Sequence, residues 1–112
     1  MEISCSTTAN TGFISLIGQL WQKEDLSAVA DAVETYIQDK ILTIVLDIDR
    51  LSFINSAGLG LLARTHARVQ EAGGKMIIFN PHTSVLEVIE ISGFDLFMTI
   101  AKTENELKAA LN

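Results

Sequence analysis

The spacing of apolar residues changes period repeatedly along the chain, and each change marks an element. Residues 2–8 and 13–18 read as two strands joined by a turn at Asn10-Thr11-Gly12, where Asn and Gly tolerate positive φ. In the second strand Ile14, Leu16 and Gly18 alternate with Phe13, Ser15 and Ile17, which leaves apolar side chains on both faces. The period then lengthens. Leu26, Val29, Ala30, Val33 and Ile37 recur at three and four, the apolar stripe of a helix over 25–39, with Asp25 as its expected N-cap. Ile41-Leu42-Thr43-Ile44-Val45-Leu46-Asp47-Ile48 is short, β-branched and apolar on both faces, as a central strand covered by helices reads.

After a short loop a second helix spans 56–72, its inner stripe formed by Leu59, Leu62, Ala63, His66 and Val69 and its end marked by Gly73-Gly74. Lys75-Met76-Ile77-Ile78-Phe79 is the next buried strand. A third helix is expected over 83–91, stopping at Gly93, with Ser84 and Glu87 at capping-box spacing. A strand near 96–100 precedes a last helix from about 104, where Thr103 and Glu106 repeat that spacing. The order β-β-α-β-α-β-α-β-α predicts an α/β fold: a central, mostly parallel mixed sheet of about five strands, about four helices and right-handed crossovers. The opening hairpin adds an antiparallel edge.

Composition narrows the function classes. The 112 residues fit one domain, 1–112, and 48% of them are apolar, enough for a core without disulfides or metals. Cys5 is the sole cysteine, so no internal disulfide forms, consistent with a reducing compartment. Eight Lys and Arg against fourteen Asp and Glu give a net charge of −6, and the basic residues are scattered. That argues against nucleic acid and anionic membranes as partners. No basic-plus-apolar leader and no membrane-length apolar run is present, so the cytoplasm is the expected location. No cluster has metal-ligand spacing, GxxxxGK[ST] is absent, and Gly-x-Ser-x-Gly is only half matched around Ser56, so neither a metal, a cofactor nor catalysis is expected. His66 falls on a helix, His82 in a loop after Pro81, and Asp47 and Asp49 at a solvated strand end. Trp21 fits either packing under the first helix or an exposed loop.

The informative stretch runs from Asp47 to Leu62. A buried strand ends, a loop follows, and Asn55-Ser56-Ala57-Gly58 opens a helix. Asn55 or Ser56 therefore occupies the N-cap region, where backbone N–H groups lack partners and the helix dipole favours negative charge. A phosphate on Ser56 would sit in an anion-favouring place. Capping alone also accounts for a Ser or Asn here. The helix start lies at the carboxyl end of a central strand, where open α/β sheets bind ligands and partners. Ala57, Gly58 and Gly60 are small enough to let a partner approach the backbone, at a cost of up to about 1 kcal/mol per helical glycine.

From Ile44 to Leu62 the chain resembles the STAS domain signature of the anti-sigma factor antagonists: a hydrophobic strand ending in Asp, a loop, then Asp-Ser-Ser/Ala-Gly-Leu-Gly. Gly73-Gly74-Lys75, the strand to Asn80-Pro81, and Val85 through Ile91-Ser92-Gly93-Phe94 continue the likeness over almost the whole chain. The resemblance implies a non-enzymatic partner switch. The unmodified protein would bind an anti-sigma factor that is also a serine kinase, and so free a sigma factor. Phosphorylation at Ser56 would release it, and a PP2C-type phosphatase would restore the hydroxyl. Asn55, Ser56, Ala57, Gly58, Leu59 and Gly60 would form the partner-binding segment. The family often has Asp where Asn55 stands; Asn keeps the capping oxygen without the charge. The alternative from the same family is an unphosphorylated STAS subunit of a lipid-transport ABC complex.

Overall fold

The computed structural model describes residues 1–112. The elements are β1 (Glu2–Thr8), β2 (Thr11–Leu20), α1 (Lys23–Gln38), β3 (Thr43–Asp47), β4 (Leu51–Ile54), α2 (Ser56–Glu71), β5 (Lys75–Phe79), α3 (Thr83–Ser92), a 3₁₀ turn (Phe94–Leu96), β6 (Thr99–Ala101) and α4 (Glu104–Leu111). The sheet runs β1-β2-β3-β5-β6, antiparallel between β1 and β2 and parallel elsewhere, as expected for a mixed α/β sheet with an antiparallel edge hairpin.

Side-chain alternation on the central strands divides the core. Ile44 and Leu46 of β3 join Ile14 and Leu16 of β2 and Met76 and Ile78 of β5 in one cluster, which Val29, Val33, Leu59, Leu62, Val69, Val85 and Ile89 of α1, α2 and α3 close. Val45 and Ile77 point the other way, with Ala101, and the apolar residues Leu107, Ala110 and Leu111 of α4 cover them. The three central residues of β3, Ile44, Val45 and Leu46, are all apolar and buried because helices lie on both of its faces.

Four local expectations are corrected. The hairpin turn is Ala9-Asn10, both at positive φ (49° and 64°), between the paired Thr8 and Thr11. Gly12 belongs to β2, where a Cβ would stand 2.8 Å from the Tyr36 ring. Tyr36 uses that space and donates its hydroxyl to the Ser6 carbonyl at 2.7 Å, fastening α1 to the edge hairpin. Second, α1 begins at Lys23 after Gln22, which makes no side-chain cap; Asp25 lies inside the first turn, where its charge still complements the dipole.

Third, the stretch expected to be only a loop before α2 contains β4. This strand pairs in parallel with the distal half of β2, Leu20 opposite Ile54, beyond a bulge between Gly18 and Gln19. Leu51 and Ile54 are buried while Ser52 and Phe53 are exposed, so the strand lacks the alternation that would have announced it. Fourth, His82 rather than Ser84 caps α3, its Nδ1 accepting from the Ser84 amide at 3.4 Å, and the last strand lies at Thr99–Ala101 after the 3₁₀ turn. Thr103 does cap α4, accepting from the Glu106 amide at 3.2 Å, and Glu106 accepts from the amide of Lys102.

His66 is buried on the inner face of α2, edge-on to the Phe97 ring with centroids 6.1 Å apart. Burial pushes its imidazole below the ordinary value of 6.5. The unfolded chain therefore takes up this proton at higher pH than the folded one, and stability falls as pH drops below about 6.5. Thermal melts between pH 7.5 and 5.5 are expected to show this decline, and His66→Gln to flatten it. An unchanged slope in His66→Gln would assign the decline elsewhere.

Candidate functional site

α2 starts where β4 ends, at the carboxyl end of the parallel strands, so the cap geometry follows from the pairing of Leu20 with Ile54. Asn55 is the N-cap. Its backbone is extended (φ −107°, ψ −174°), and its Oδ1 accepts from the Gly58 amide at 2.9 Å. Its carbonyl accepts from the Leu59 amide at 2.9 Å. The cap is thus complete without Ser56. An Asn cap is worth about 1 kcal/mol.

Ser56 is the first residue of the helix, exposed, and its hydroxyl makes no hydrogen bond within the chain. The amides of Ser56 and Ala57 are free by helix geometry. α1 and α4 carry Glu24 and Asp25, and Glu104 and Glu106, in their first turns; α2 has no acidic residue there. The positive end of its dipole is therefore not countered from within the helix.

The six residues of the segment divide by orientation. Ser56 and Ala57 are exposed and Asn55 and Gly60 partly so, whereas Gly58 and Leu59 are buried. This corrects the reading of Gly58 as an opening for a partner. A Cβ at Gly58 would lie 2.6 Å from both the Leu20 carbonyl oxygen and Ile54 Cγ1, so the missing side chain serves the seating of α2 on β2 and β4. Gly60 is different: a Cβ there would meet only the end of the Arg64 side chain, Nη1 at 3.2 Å. Its cost to the helix is repaid by no core contact.

Sequence reasoning missed the apolar frame of this helix start. Phe53 stands 48% exposed two residues before the cap, and Trp21, which follows the residue paired with Ile54, is 45% exposed. Trp21 thus takes the exposed of its two open places. Phe53 could have been noticed as the one aromatic in the loop, but only the pairing of β4 shows which way it faces.

Asp47 closes the turn after β3 by accepting from the Asp49 amide at 3.1 Å. No three His, Cys, Asp or Glu side chains converge as a metal site would require. No helix is long and apolar enough to cross a membrane. The exposed thiol of Cys5 on β1 is raised from its ordinary value by partial burial, which keeps it protonated and weakly nucleophilic.

The chain and its fold are similar to those of known proteins. The anti-sigma F factor antagonist of Lysinibacillus sphaericus is 27% identical over 100 residues, 89% of this chain and 86% of that one. The anti-sigma factor antagonist SpoIIAA in its unphosphorylated form superposes with a TM-score of 0.80 at 27% identity, covering 98% of this chain and 96% of that one. The Bacillus cell fate determinant SpoIIAA in the phosphorylated form gives 0.73 at 26% identity, covering 99% of this chain and all of that one. An anti-sigma factor antagonist from Mycobacterium paratuberculosis, 19% identical over 99% of this chain and 94% of that one, shares the fold with a TM-score of 0.84. The STAS domain model matches residues 8–107, from the end of β1 into α4, and the chain belongs to the STAS domain family.

Proposed function

We propose that this chain is an anti-sigma factor antagonist that works by partner switching, with Ser56 as its phosphoacceptor. It binds an anti-sigma factor serine kinase while Ser56 is unmodified, is released when the kinase phosphorylates that serine, and is reset by a PP2C-type phosphatase. The observation that carries this reading is an exposed hydroxyl without hydrogen bonds, placed at a helix start whose cap is supplied by the neighbouring Asn55. The likeness to SpoIIAA, a protein described in both unphosphorylated and phosphorylated forms, supports it.

The chain is then ligand and substrate, and its partners are the catalysts. In the kinase complex the Ser56 oxygen attacks the γ-phosphorus of ATP, the bond to ADP breaks, and the hydroxyl proton passes to a base of the kinase. Because Asn55 holds the cap, neither losing the hydroxyl nor esterifying it removes a bond that the fold needs. The phosphate adds about −1.5 to −2 charges at pH 7, and its bulk, where a partner must come close.

The test is to incubate the wild type and Ser56→Ala with the co-purifying kinase and ATP and to weigh both. Ser56→Ala is expected to melt like the wild type, since exposed substitutions change stability by about 0.5 kcal/mol or less. It is also expected to stay bound to the kinase and to gain no 80 Da increment, the approximate mass of one phosphate group. Equal phosphate uptake by both proteins would overturn the assignment of Ser56.

A further inference from the structure

Gly60 sits inside α2 with no packing reason for its missing side chain; the one atom that would crowd a Cβ there is Nη1 of Arg64, at 3.2 Å. Ser56, Gly60 and Arg64 follow at intervals of four, so they lie along one face of the helix. Helical side chains lean toward the N-terminus. Arg64 does so, bringing its Nη1 to 3.2 Å from where a Cβ on Gly60 would stand. That leaves one helical turn, about 5–6 Å, between the guanidinium and Ser56.

The surroundings leave this cation free. Lys23, Arg64 and Arg68 line the groove between α1 and α2, three of the eight basic residues of a chain whose net charge is −6, with Glu34 as the only carboxylate among them. Arg68 is committed to that carboxylate by two bonds of 2.8 and 3.1 Å. The Arg68–Glu34 pair is the only salt bridge in the molecule, so Arg64 and Lys23 have none.

We infer that Arg64 is the receiver for a phosphate on Ser56, a positioning residue that draws the modified side chain down along α2. This rests on the reading of Ser56 as the phosphoacceptor. The lean of Arg64 brings its guanidinium to the gap over Gly60, and a phosphate on Ser56 that turns back along the helix, against that lean, meets it there. The planar N–H fork of Arg64 matches two phosphate oxygens. Gly60 is the residue that makes the meeting possible, because any side chain there would stand between the two groups. Phosphorylation then changes two features of the partner-facing surface together: it places an anion at the helix start and withdraws the free cation of the groove.

The experiment uses full-length protein with phosphoserine encoded at position 56 during synthesis, so that no kinase is needed. The second ionisation of the phosphate, ordinarily near 6, is followed by phosphorus NMR between about pH 4.5 and 8. It is expected to lie lower in the wild type than in Arg64→Gln by about half a pH unit or more, since a paired cation favours the dianion. Arg64→Lys is expected to retain part of the shift. Gly60→Ala keeps every charge but fills the gap, and is expected to lose most of the shift. Equal values in the wild type and Arg64→Gln would overturn the inference. So would a shift lost in Arg64→Gln but intact in Gly60→Ala, which would mean a distant charge and not a contact. Because the phosphate is built in, either result leaves the kinase assay on Ser56 to stand or fall separately.

Discussion

Ser56→Glu is expected to bind the co-purifying anti-sigma factor at least about tenfold more weakly than the wild type by calorimetry, and the phosphorylated protein more than about a hundredfold, a loss near 3 kcal/mol. The argument is electrostatic and steric. Ser56 is exposed at a helix start beside the small, exposed Ala57, so a docked partner meets this position closely. Glutamate brings one charge and a longer side chain; phosphate brings nearly two charges and three strong acceptor oxygens. A negative group that lands against a desolvated partner surface without a matching cation costs several kcal/mol. The substitution leaves the Asn55 cap intact and adds an acid to the first turn of α2, so the fold is expected to hold or gain slightly. Unchanged affinity in a folded Ser56→Glu would sink the charge-and-bulk account of release.

Two glycines two residues apart should respond with opposite signs. Gly58→Ala places a methyl group 2.6 Å from the Leu20 carbonyl oxygen and from Ile54 Cγ1, and the carbonyl is backbone held by the β2–β4 pairing. The helix must lift or β4 must slip. Overpacking of this kind costs about 1–3 kcal/mol, and alanine's better helix propensity returns about 1 kcal/mol at most. A net loss of about 1–2 kcal/mol, about 3–12 °C in melting temperature for a domain of this size, is expected. Gly60→Ala meets only the flexible end of Arg64, so the unmodified protein is expected to gain about 0.5–1 kcal/mol. Chemical denaturation of the two variants beside the wild type checks both. Two losses of similar size would show that Gly60 also serves packing, and a stable Gly58→Ala would show that α2 is not seated as described.

The contrast marks how far the sequence could be read at the site. Asn-Ser-Ala-Gly before an apolar stripe is enough to place a helix start, because capping chemistry is local. It does not say which residue caps. Asn55 does, because β4 delivers the chain to the helix in an extended conformation at that residue. Nor can a run of small residues distinguish a glycine that faces its own chain from one that faces outward. Gly58 and Gly60 are two residues apart, on different sides of one helix, and only the position of Leu20 and Ile54 separates their roles.

The same division holds for the fold. The strands at 2–8 and 75–79 were legible to the residue, and α2 to within one at its end, since burial on one or both faces imposes a period that survives in the sequence. β4 was not. Its four residues have buried ends and an exposed middle, and its partner is the half of β2 beyond a bulge, more than 30 residues away in the chain. What the amino-acid order determined by itself was the alternation of elements, the layered α/β class and the serine at a helix start, because these depend on periodicity and capping within a few residues. What the tertiary structure alone decided was the cap, the inward glycine and the free guanidinium over Gly60, because each depends on which distant backbone atoms or open space stand beside a residue.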